Sequence, residues 1–322
     1  MTMCAGILSD LGPLFGSGAL KRLKSLRDTS FRKSGKRMAA SLQAKVTKSC
    51  LSQVEKRCRN AHDEQAKQNG IKGSSSGEGM GTQMAERFAS KVVLIAGGTG
   101  GLGRGVSLAF LGEGARVIVT YQREDEFVAL KNASGAHGSS LEGHKVDLTD
   151  EAAVRELAAK VVADHGRLDV LVNAVGGYAG GSPLWELESK VFDQMLALNL
   201  RCMFVLSRVV VPMMLKQGNG AILNVASKAA IDHAAGAAAY AASKAAAVAM
   251  MDSLAADLRG TNVRANSILP SIIDTEANRK AMPGADFAKW PKPEEIARVI
   301  LFLCSEDAKL VHGAAVPVYG NT

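Results

Sequence analysis

The segment from Ala238 to Met250, "AAYAASKAAAVAM", carries a tyrosine and a lysine four residues apart among small residues. Alanine is the best helix former, so the segment is predicted to be a helix with Tyr240 and Lys244 on one face. A phenol has an ordinary pKa near ~10, too high for ready proton loss at neutral pH. An ammonium group one turn away favours the phenolate, so this pair could exchange a proton with a substrate oxygen. Taken alone, it could equally be an ordinary pair on a solvated helix face.

A glycine-rich segment, "AGGTGGLGRG", lies where a short apolar run gives way to an amphipathic pattern. Gly97, Gly101 and Gly103 allow a tight turn, a close approach of backbone N–H groups to a pyrophosphate, and close packing of the following helix. Thr99 and Leu102 lie in the same loop and are predicted to contact the dinucleotide as well. The strand–turn–helix setting favours a dinucleotide site over a plain glycine-rich turn.

The end of the next predicted strand, "VTYQRED", bears on which nicotinamide cofactor binds. NAD requires an acidic residue there to hold the ribose 2′-hydroxyl, but Thr120, Tyr121 and Gln122 occupy the place. Arg123, with Arg104 from the glycine-rich segment, could pair with a 2′-phosphate. The sequence therefore predicts NADP(H) in preference to NAD(H), unless both arginines are only solvated surface residues.

Two further strand ends carry residues that are predicted to border the cofactor. Asp147 and Leu148 follow the third strand, where we expect them near the adenine. Asn173 ends the fourth strand, where it could contact the cofactor or simply hold strand backbone groups together. Both sites lie at the carboxyl ends of strands, where α/β sheets bind their ligands.

Short apolar runs alternate with helix-length segments from Lys91 onward, which is the βαβ pattern of a doubly wound, mainly parallel α/β sheet of the Rossmann type. The predicted strands are "KVVLIAG", "ARVIVTY", "GHKVDL", "LDVLVNAV", "GAILNVAS", "NVRANSIL" and "AAVPVYG". We therefore predict one folded domain over residues 84–322, with its functional side chains gathered at one edge of the sheet.

Charge separates this domain from the beginning of the chain. Residues 1–83 contain 15 Lys and Arg against 6 Asp and Glu, whereas residues 84–322 contain 24 against 25. The near-neutral domain lacks the basic footprint of nucleic-acid binding, so no nucleic-acid partner is predicted for it. Residues 1–83 are predicted to be a basic, disordered, low-complexity extension that ends in a flexible polar linker.

Three explanations of this extension stay open: an organelle transit peptide, codons upstream of a true start at Met80 or Met84, or a basic tail with its own partner. Its apolar beginning is interrupted by Asp10 and Pro13 and precedes the positive charges, which is the wrong order for a secretory signal. No run predicts a membrane span. We expect a cytoplasmic protein, or an organellar one if residues 1–83 are a transit peptide.

The cysteines indicate neither a metal site nor a disulfide framework. Cys202 and Cys304 are the two in the predicted domain, and both lie in apolar surroundings without metal-ligand spacing. We predict free, buried thiols in a reducing compartment and no bound metal.

The chain resembles the short-chain dehydrogenase/reductase family over roughly Lys91 to Gly320. The family motif Thr-Gly-x-x-x-Gly-x-Gly matches Ala96 to Gly103 except for the alanine, and the Asn-Asn-Ala-Gly motif has a looser match in Val172 to Gly176. The active-site residues of the family match Asn199, Ser227, Tyr240 and Lys244. The order and spacing of these motifs, with the serine thirteen residues before the tyrosine, are far more specific than any one motif.

The resemblance implies hydride transfer between a nicotinamide cofactor and a carbonyl or alcohol substrate. Tyr240 would act as the general acid or base, and Ser227 would hold the substrate oxygen. Lys244 would bind the nicotinamide ribose and, together with a positive nicotinamide ring, favour the phenolate. Asn199 would hold a water that refills the proton relay, and Thr275 would meet the nicotinamide carboxamide.

The resemblance also implies assembly. Helices that begin near Leu184 and Ala238 have small, apolar faces in excess of what one sheet can cover. Family members usually pair through these helices, so a homodimer or homotetramer is expected.

Residues 269–295 are predicted to be a flap over the substrate, because they show no clear period, contain four prolines and join the sixth strand to a late helix. Ser271 replaces a glycine that is common in the family, so the local turn is expected to differ. Residues 278–290 are similar to quinonoid dihydropteridine reductases, which implies a pterin or another flat, quinone-like substrate. Those enzymes lack the active-site serine, so Ser227 favours a carbonyl or alcohol instead. The aromatic and sulfur side chains that would line the pocket, or pin the flap to the core, are Met282, Phe287 and Trp290.

A non-catalytic redox sensor that binds NADP remains an alternative, with the basic extension as the part that meets a partner. A sensor does not need Ser227, Tyr240 and Lys244 together. The three residues therefore favour an enzyme.

Overall fold

The computed structural model describes residues 86–322, so the predicted extension over residues 1–83 lies outside the described residues. The described chain forms one sheet of seven parallel strands in the order β3-β2-β1-β4-β5-β6-β7. The strands are β1 Val92–Ala96, β2 Arg116–Tyr121, β3 Leu141–Lys145, β4 Val170–Asn173, β5 Gly220–Val225, β6 Val263–Pro270 and β7 Ala315–Val318. The strand order reverses direction at β1, which confirms the predicted doubly wound α/β fold.

The seven apolar runs predicted as strands each overlap one strand of the sheet. The third is displaced, because β3 begins at Leu141, two residues before the predicted run, and ends at Lys145. β3 lies at the edge of the sheet and buries only Leu141 fully, so little apolar alternation marks where it starts.

Helices cover both faces of the sheet. They are α1 Gly101–Gly112, α2 Glu124–Ala133, α3 Glu151–His165, α4 Ser189–Leu196, α5 Cys202–Gln217, α6 Ala238–Asp257, α7 Glu276–Ala281 and α8 Pro293–Cys304. One core cluster joins the sheet to α1 and α8, and a second joins it to α3, α5 and α6. Val93 and Ile95 of β1 belong to the first cluster and Val92 and Leu94 to the second, the alternation of a strand that is buried on both faces.

α4, a π-helical turn over Ala197–Arg201, and α5 form one continuous helical segment, Ser189–Gln217. By length and composition this segment could cross a membrane, with a mean hydropathy of 1.6, although the sequence patterns predicted no span. Its side chains Met203, Leu206 and Val210 are buried in the second core cluster. The segment is therefore apolar because it forms part of the core that supports the site.

Candidate active site

The glycine-rich loop joins β1 to α1 at the carboxyl edge of the sheet. Gly97 has a φ of 72°, and its N–H donates to Thr120 Oγ1 at 3.0 Å, which ties the loop to β2. A Cβ on Gly103 would overlap the Gly97 carbonyl oxygen, and one on Gly101 would lie 2.8 Å from Thr275 Cγ2. The loop thus forms a cradle lined by backbone at the start of a helix, which fits the needs of a pyrophosphate.

Arg123, predicted to bind a 2′-phosphate, is paired with acidic neighbours in the structure. Its guanidinium contacts the Asp125 carboxylate and lies 3.7 Å from Glu126, and about two-thirds of its side chain is exposed. Thr99 donates its hydroxyl to Glu126 at 3.1 Å. Arg123 and Thr99 therefore meet through one carboxylate, while Arg104 is exposed on the first turn of α1.

The other predicted cofactor residues have structural contacts of their own. Leu102 and Leu148 are buried, one in each core cluster. Asp147 accepts hydrogen bonds from the Thr149 hydroxyl at 2.7 Å and the Thr149 N–H at 2.8 Å, which lower the pKa of the Asp147 carboxyl. Asp147 thus stabilises the turn after β3.

Asn173 holds the end of β4 in place, one of the two roles predicted for it. Its Nδ2 donates to Asn224 Oδ1 on β5 at 3.0 Å, and its Oδ1 accepts from the Val175 N–H at 3.2 Å. All of Asn173 is buried. Asn173 therefore fixes the start of the loop that follows β4.

Tyr240 lies in the first turn of α6, which is the helix predicted from the alanine-rich segment. Burial raises the pKa of Tyr240, and hydrogen bonding to Ser227 opposes that rise. The net direction is opposite to the lowering that was expected from Lys244. Ser227 follows β5 and caps a short turn, where its Oγ accepts from the Ala229 N–H at 3.1 Å. Ser227 therefore lies close enough to Tyr240, at the carboxyl edge of the sheet, to affect the pKa of the Tyr240 hydroxyl.

Lys244 is buried one turn further along α6. Its Nζ donates to the Val225 carbonyl oxygen at 3.0 Å rather than to Tyr240. Burial lowers the pKa of Lys244 to about 8, because the ammonium form is poorly solvated there. A Cβ on Gly176 would lie 2.9 Å from Lys244 Nζ and 3.0 Å from Asn199 Oδ1, so a larger residue there would displace one of these side chains.

Asn199 occupies the π-helical turn between α4 and α5 and is buried. Its Nδ2 donates to the Gly177 carbonyl and its Oδ1 accepts from the Gly177 N–H, both at 3.0 Å. Nδ2 also donates to Ser243 Oγ at 3.0 Å. Single π-helical turns occur frequently at functional sites, and this one turns Asn199 toward the loop after β4 and toward α6.

Tyr178 and Ser243 are site residues that the sequence patterns did not identify. The Tyr178 ring packs edge-to-face on the Tyr240 ring, with 5.0 Å between centroids. Ser243 donates to the Tyr240 carbonyl oxygen at 2.8 Å and accepts from Asn199. The one signal for Tyr178 was a lone aromatic among glycines in "GGYAGG".

The predicted flap contains α7 and a short turn before α8. Thr275 caps α7, with its Oγ1 accepting from the Asn278 N–H at 3.2 Å. Trp290 is buried and packs on Phe287 with 5.0 Å between centroids, so these two side chains contact each other within the flap. Ser271 donates its hydroxyl to the Tyr319 carbonyl at 2.7 Å, a bond that a glycine could not make.

Cys202 and Cys304 are free and buried, as predicted. Burial raises the pKa of the Cys202 thiol to about 11 and that of Cys304 to about 12, so neither is a ready nucleophile. Within residues 86–322, no group of three or more His, Cys, Asp or Glu side chains could hold a metal ion.

Comparisons with known proteins agree with this arrangement. A family model for short chain dehydrogenases matches residues 91–285. The chain is 35% identical over 244 residues to the 3-oxoacyl-acyl-carrier-protein reductase FabG of Thermotoga maritima, covering 73% of this chain and 98% of FabG. It is 34% identical over 244 residues to D-threitol dehydrogenase of Mycolicibacterium smegmatis, covering 73% of this chain and 94% of that relative.

A solved structure, ElxO with NADP bound, has a TM-score of 0.68 and 26% identity to this chain, covering 71% of this chain and 97% of ElxO. The family model spans more than half of this chain, and the two relatives align over nearly their full lengths. The sequence resemblance is therefore confirmed, and the chain belongs to the short-chain dehydrogenase/reductase family of oxidoreductases.

Proposed function

We propose that this protein interconverts a carbonyl and an alcohol with NADP(H), using Tyr240 as the general acid and base. The observation that carries the proposal is the placement of Tyr240 close enough to Ser227 for the two side chains to interact, one helical turn from the buried amine of Lys244. In reduction, the bound cofactor supplies a hydride to the carbonyl carbon and Tyr240 gives its proton to the oxygen, so one C–H and one O–H bond replace the C=O π bond.

The neighbouring side chains divide the remaining work. Ser227 would donate a hydrogen bond to the substrate oxygen while Tyr240 transfers the proton. Lys244, held by the Val225 carbonyl, would bind the nicotinamide ribose through its remaining N–H groups. Asn199 was expected to hold a water, but its amide is occupied by Gly177 and Ser243. We therefore propose that Asn199 is a positioning residue: its side chain holds the loop after β4 through Gly177 and the first turn of α6 through Ser243.

The test of this function compares wild-type protein with Tyr240→Phe. NADPH binding, followed by fluorescence, should be unchanged, while turnover on ketones, quinones and a quinonoid dihydropterin should fall at least about 10²-fold. Tyr319→Phe is the matched control, because among the described residues the buried Tyr319 hydroxyl has no hydrogen-bond partner, and phenylalanine keeps the ring that packs near Ala226 and Ala230. Turnover that survives in Tyr240→Phe contradicts the assignment, and NADPH binding without any turnover by the wild type supports the redox sensor.

NADP(H) is proposed in preference to NAD(H) because β2 ends in Thr120 and Tyr121 and not in an acidic residue. Arg123 would have to exchange the Asp125 carboxylate for the 2′-phosphate, so the exposed Arg104 should contribute more. Arg104→Ala should weaken NADPH binding about tenfold and leave NADH binding unchanged. Equal affinity of the wild type for the two cofactors would refute the preference.

We also propose that the chain forms a homodimer or homotetramer through the exposed side of the segment Ser189–Gln217 and α6. Leu200, Phe204 and Met250 line an apolar depression there, and Phe204 is exposed in the single chain. Sedimentation should give a dimer or tetramer for the wild type and a smaller species for Phe204→Glu. A monomeric wild type would contradict the proposal.

A further inference from the structure

Tyr178 combines two properties that rarely occur together in one side chain. It is 68% exposed, yet its ring packs against the Tyr240 ring at 5.0 Å with an interplanar angle of 75°. Edge-to-face contact at this distance is the favoured geometry for an aromatic pair. One edge of Tyr178 is therefore fixed beside the proposed acid and base, while most of the ring remains open to a ligand.

The loop that carries Tyr178 is held on both sides of the ring. Before it, the Gly177 carbonyl accepts from Asn199 Nδ2 and the Gly177 N–H donates to Asn199 Oδ1, and after it the Gly181 N–H donates to the Gly236 carbonyl at 2.9 Å. Gly180 leaves room for the Tyr178 hydroxyl, which a Cβ at that position would overlap. Because the backbone is fixed on both sides, the ring can bind a ligand with little further loss of conformational freedom.

Two more large apolar side chains are exposed on the neighbouring loops at this edge. Ile231 follows β5 and is 62% exposed, and Ile272 follows β6 and is 41% exposed. The loops after β4, β5 and β6 thus each expose at least one large apolar side chain, and these loops begin at the carboxyl edge, where Tyr240 also lies. Exposed apolar side chains that converge on a polar centre are typical of a small-molecule site.

We propose that Tyr178 is a specificity-determining residue that selects a planar, apolar carbonyl compound, such as an aryl ketone or a quinone. This proposal rests on the proposed carbonyl chemistry at Tyr240 and names its substrate class. A conjugated carbonyl lies in the plane of its ring, so a substrate whose oxygen reaches Tyr240 and Ser227 brings that ring against the exposed part of Tyr178. An aliphatic ketone has no ring to place there.

The experiment measures kcat and KM with NADPH for two sets of substrates: aryl ketones and quinones, and small aliphatic ketones. Tyr178→Ala should raise KM for the planar set about fivefold to tenfold, leave kcat for that set within about twofold, and change the aliphatic set little. Tyr178→Phe keeps the ring and should retain the wild-type KM. Trp185→Ala is the matched control, because Trp185 is 84% exposed on the same connection and its indole N–H donates to Glu186.

NADPH affinity should be equal in the wild type, Tyr178→Ala, Tyr178→Phe and Trp185→Ala. Equal affinity shows that the cofactor site is intact in each protein. Equal losses on planar and aliphatic substrates in Tyr178→Ala, or no loss on either, would overturn the role of Tyr178. A wild type that reduces aliphatic ketones and ignores planar ones would overturn the substrate class while leaving the carbonyl chemistry intact. A wild type that reduces no carbonyl overturns the proposed function, and this inference with it.

Discussion

Replacing Lys244 by methionine should make the protein more stable and inactive. Lys244 is buried, its Nζ donates to the Val225 carbonyl, and burial lowers its pKa from the ordinary 10.5 to about 8. A lowered lysine pKa means that the unfolded chain holds the proton more tightly than the folded chain does. Between pH 8 and 10.5 the unfolded state therefore binds more protons, and stability rises with pH across that window.

The size of this change in stability follows from the two pKa values of Lys244, the ordinary 10.5 and about 8 in the folded chain. At pH 7, holding the proton in the folded state costs about 3 kcal/mol, since each factor of ten in acidity is worth about 1.4 kcal/mol. At pH 9.5 the cost falls to about 1 kcal/mol, because much of the unfolded state still binds the proton and the folded lysine is neutral. Methionine has a similar shape and forfeits one hydrogen bond, worth about 1 kcal/mol. Lys244→Met should thus gain about 2 kcal/mol at pH 7 and close to nothing at pH 9.5.

Urea unfolding at one protein concentration measures the difference in the free energy of unfolding between Lys244→Met and wild type at pH 7 and at pH 9.5. Lys280→Met serves as the control, because Lys280 is an exposed residue of α7 paired with Glu276 at 2.7 Å, so its removal should change stability by less than about 1 kcal/mol. The reasoning is refuted if Lys244→Met is less stable than wild type at pH 7, or if its advantage does not shrink at pH 9.5. Lys244→Met should lose turnover whatever its stability, since the proposed contact of Lys244 with the nicotinamide ribose is gone.

Gly103→Ala should destabilise the protein by about 2 kcal/mol and weaken NADPH binding, because its Cβ would overlap the Gly97 carbonyl oxygen. Gly112→Ala lies in the same helix, but nothing is within 4 Å of its Cβ, so it should instead raise the free energy of unfolding by about 0.5 kcal/mol. Thermal unfolding and an NADPH titration distinguish the two variants. Asp150→Ala should cost about 1 kcal/mol in urea unfolding, because its carboxylate caps α3 by accepting from the Ala152 N–H at 2.8 Å. Asp150→Asn keeps that acceptor, so equal losses in the two variants would contradict the capping role.

The fold could be predicted from sequence because its strands are buried on both faces and therefore read as continuous apolar runs. β1 and β4 are fully buried, and their positions were predicted closely. β3 could not be placed as well, because an edge strand with partly exposed residues carries little apolar signal. The Asn199 turn is a similar case, since a π-helical turn within a long apolar helix leaves the period of the sequence almost unchanged.

At the site, residue types and spacing predicted which side chains come together but not how they bond. Tyr240 and Lys244 do share a helix, yet the lysine turns to the Val225 carbonyl, a backbone partner that no sequence motif encodes. The Val225 carbonyl lies on another element, so its contact depends on the three-dimensional arrangement, which spacing along the chain does not specify. Arg123 was predicted to pair with a phosphate, whereas its guanidinium contacts Asp125, an exposed neighbour two residues along the chain.

The directions of the two pKa changes also bear on how the proposed reaction begins. Burial raises the pKa of Tyr240 and lowers that of Lys244 to about 8, so at pH 7 Tyr240 is neutral while Lys244 still holds its proton. A protonated tyrosine is the form that reduction of a carbonyl requires, because it must donate the proton to the oxygen. Oxidation of an alcohol requires the phenolate, and the chain alone does not favour that form. The phenolate would need an additional positive charge beside it, which an oxidised nicotinamide ring carries when bound. The protonated form of Tyr240 in the folded chain is thus the form that the proposed reduction step uses.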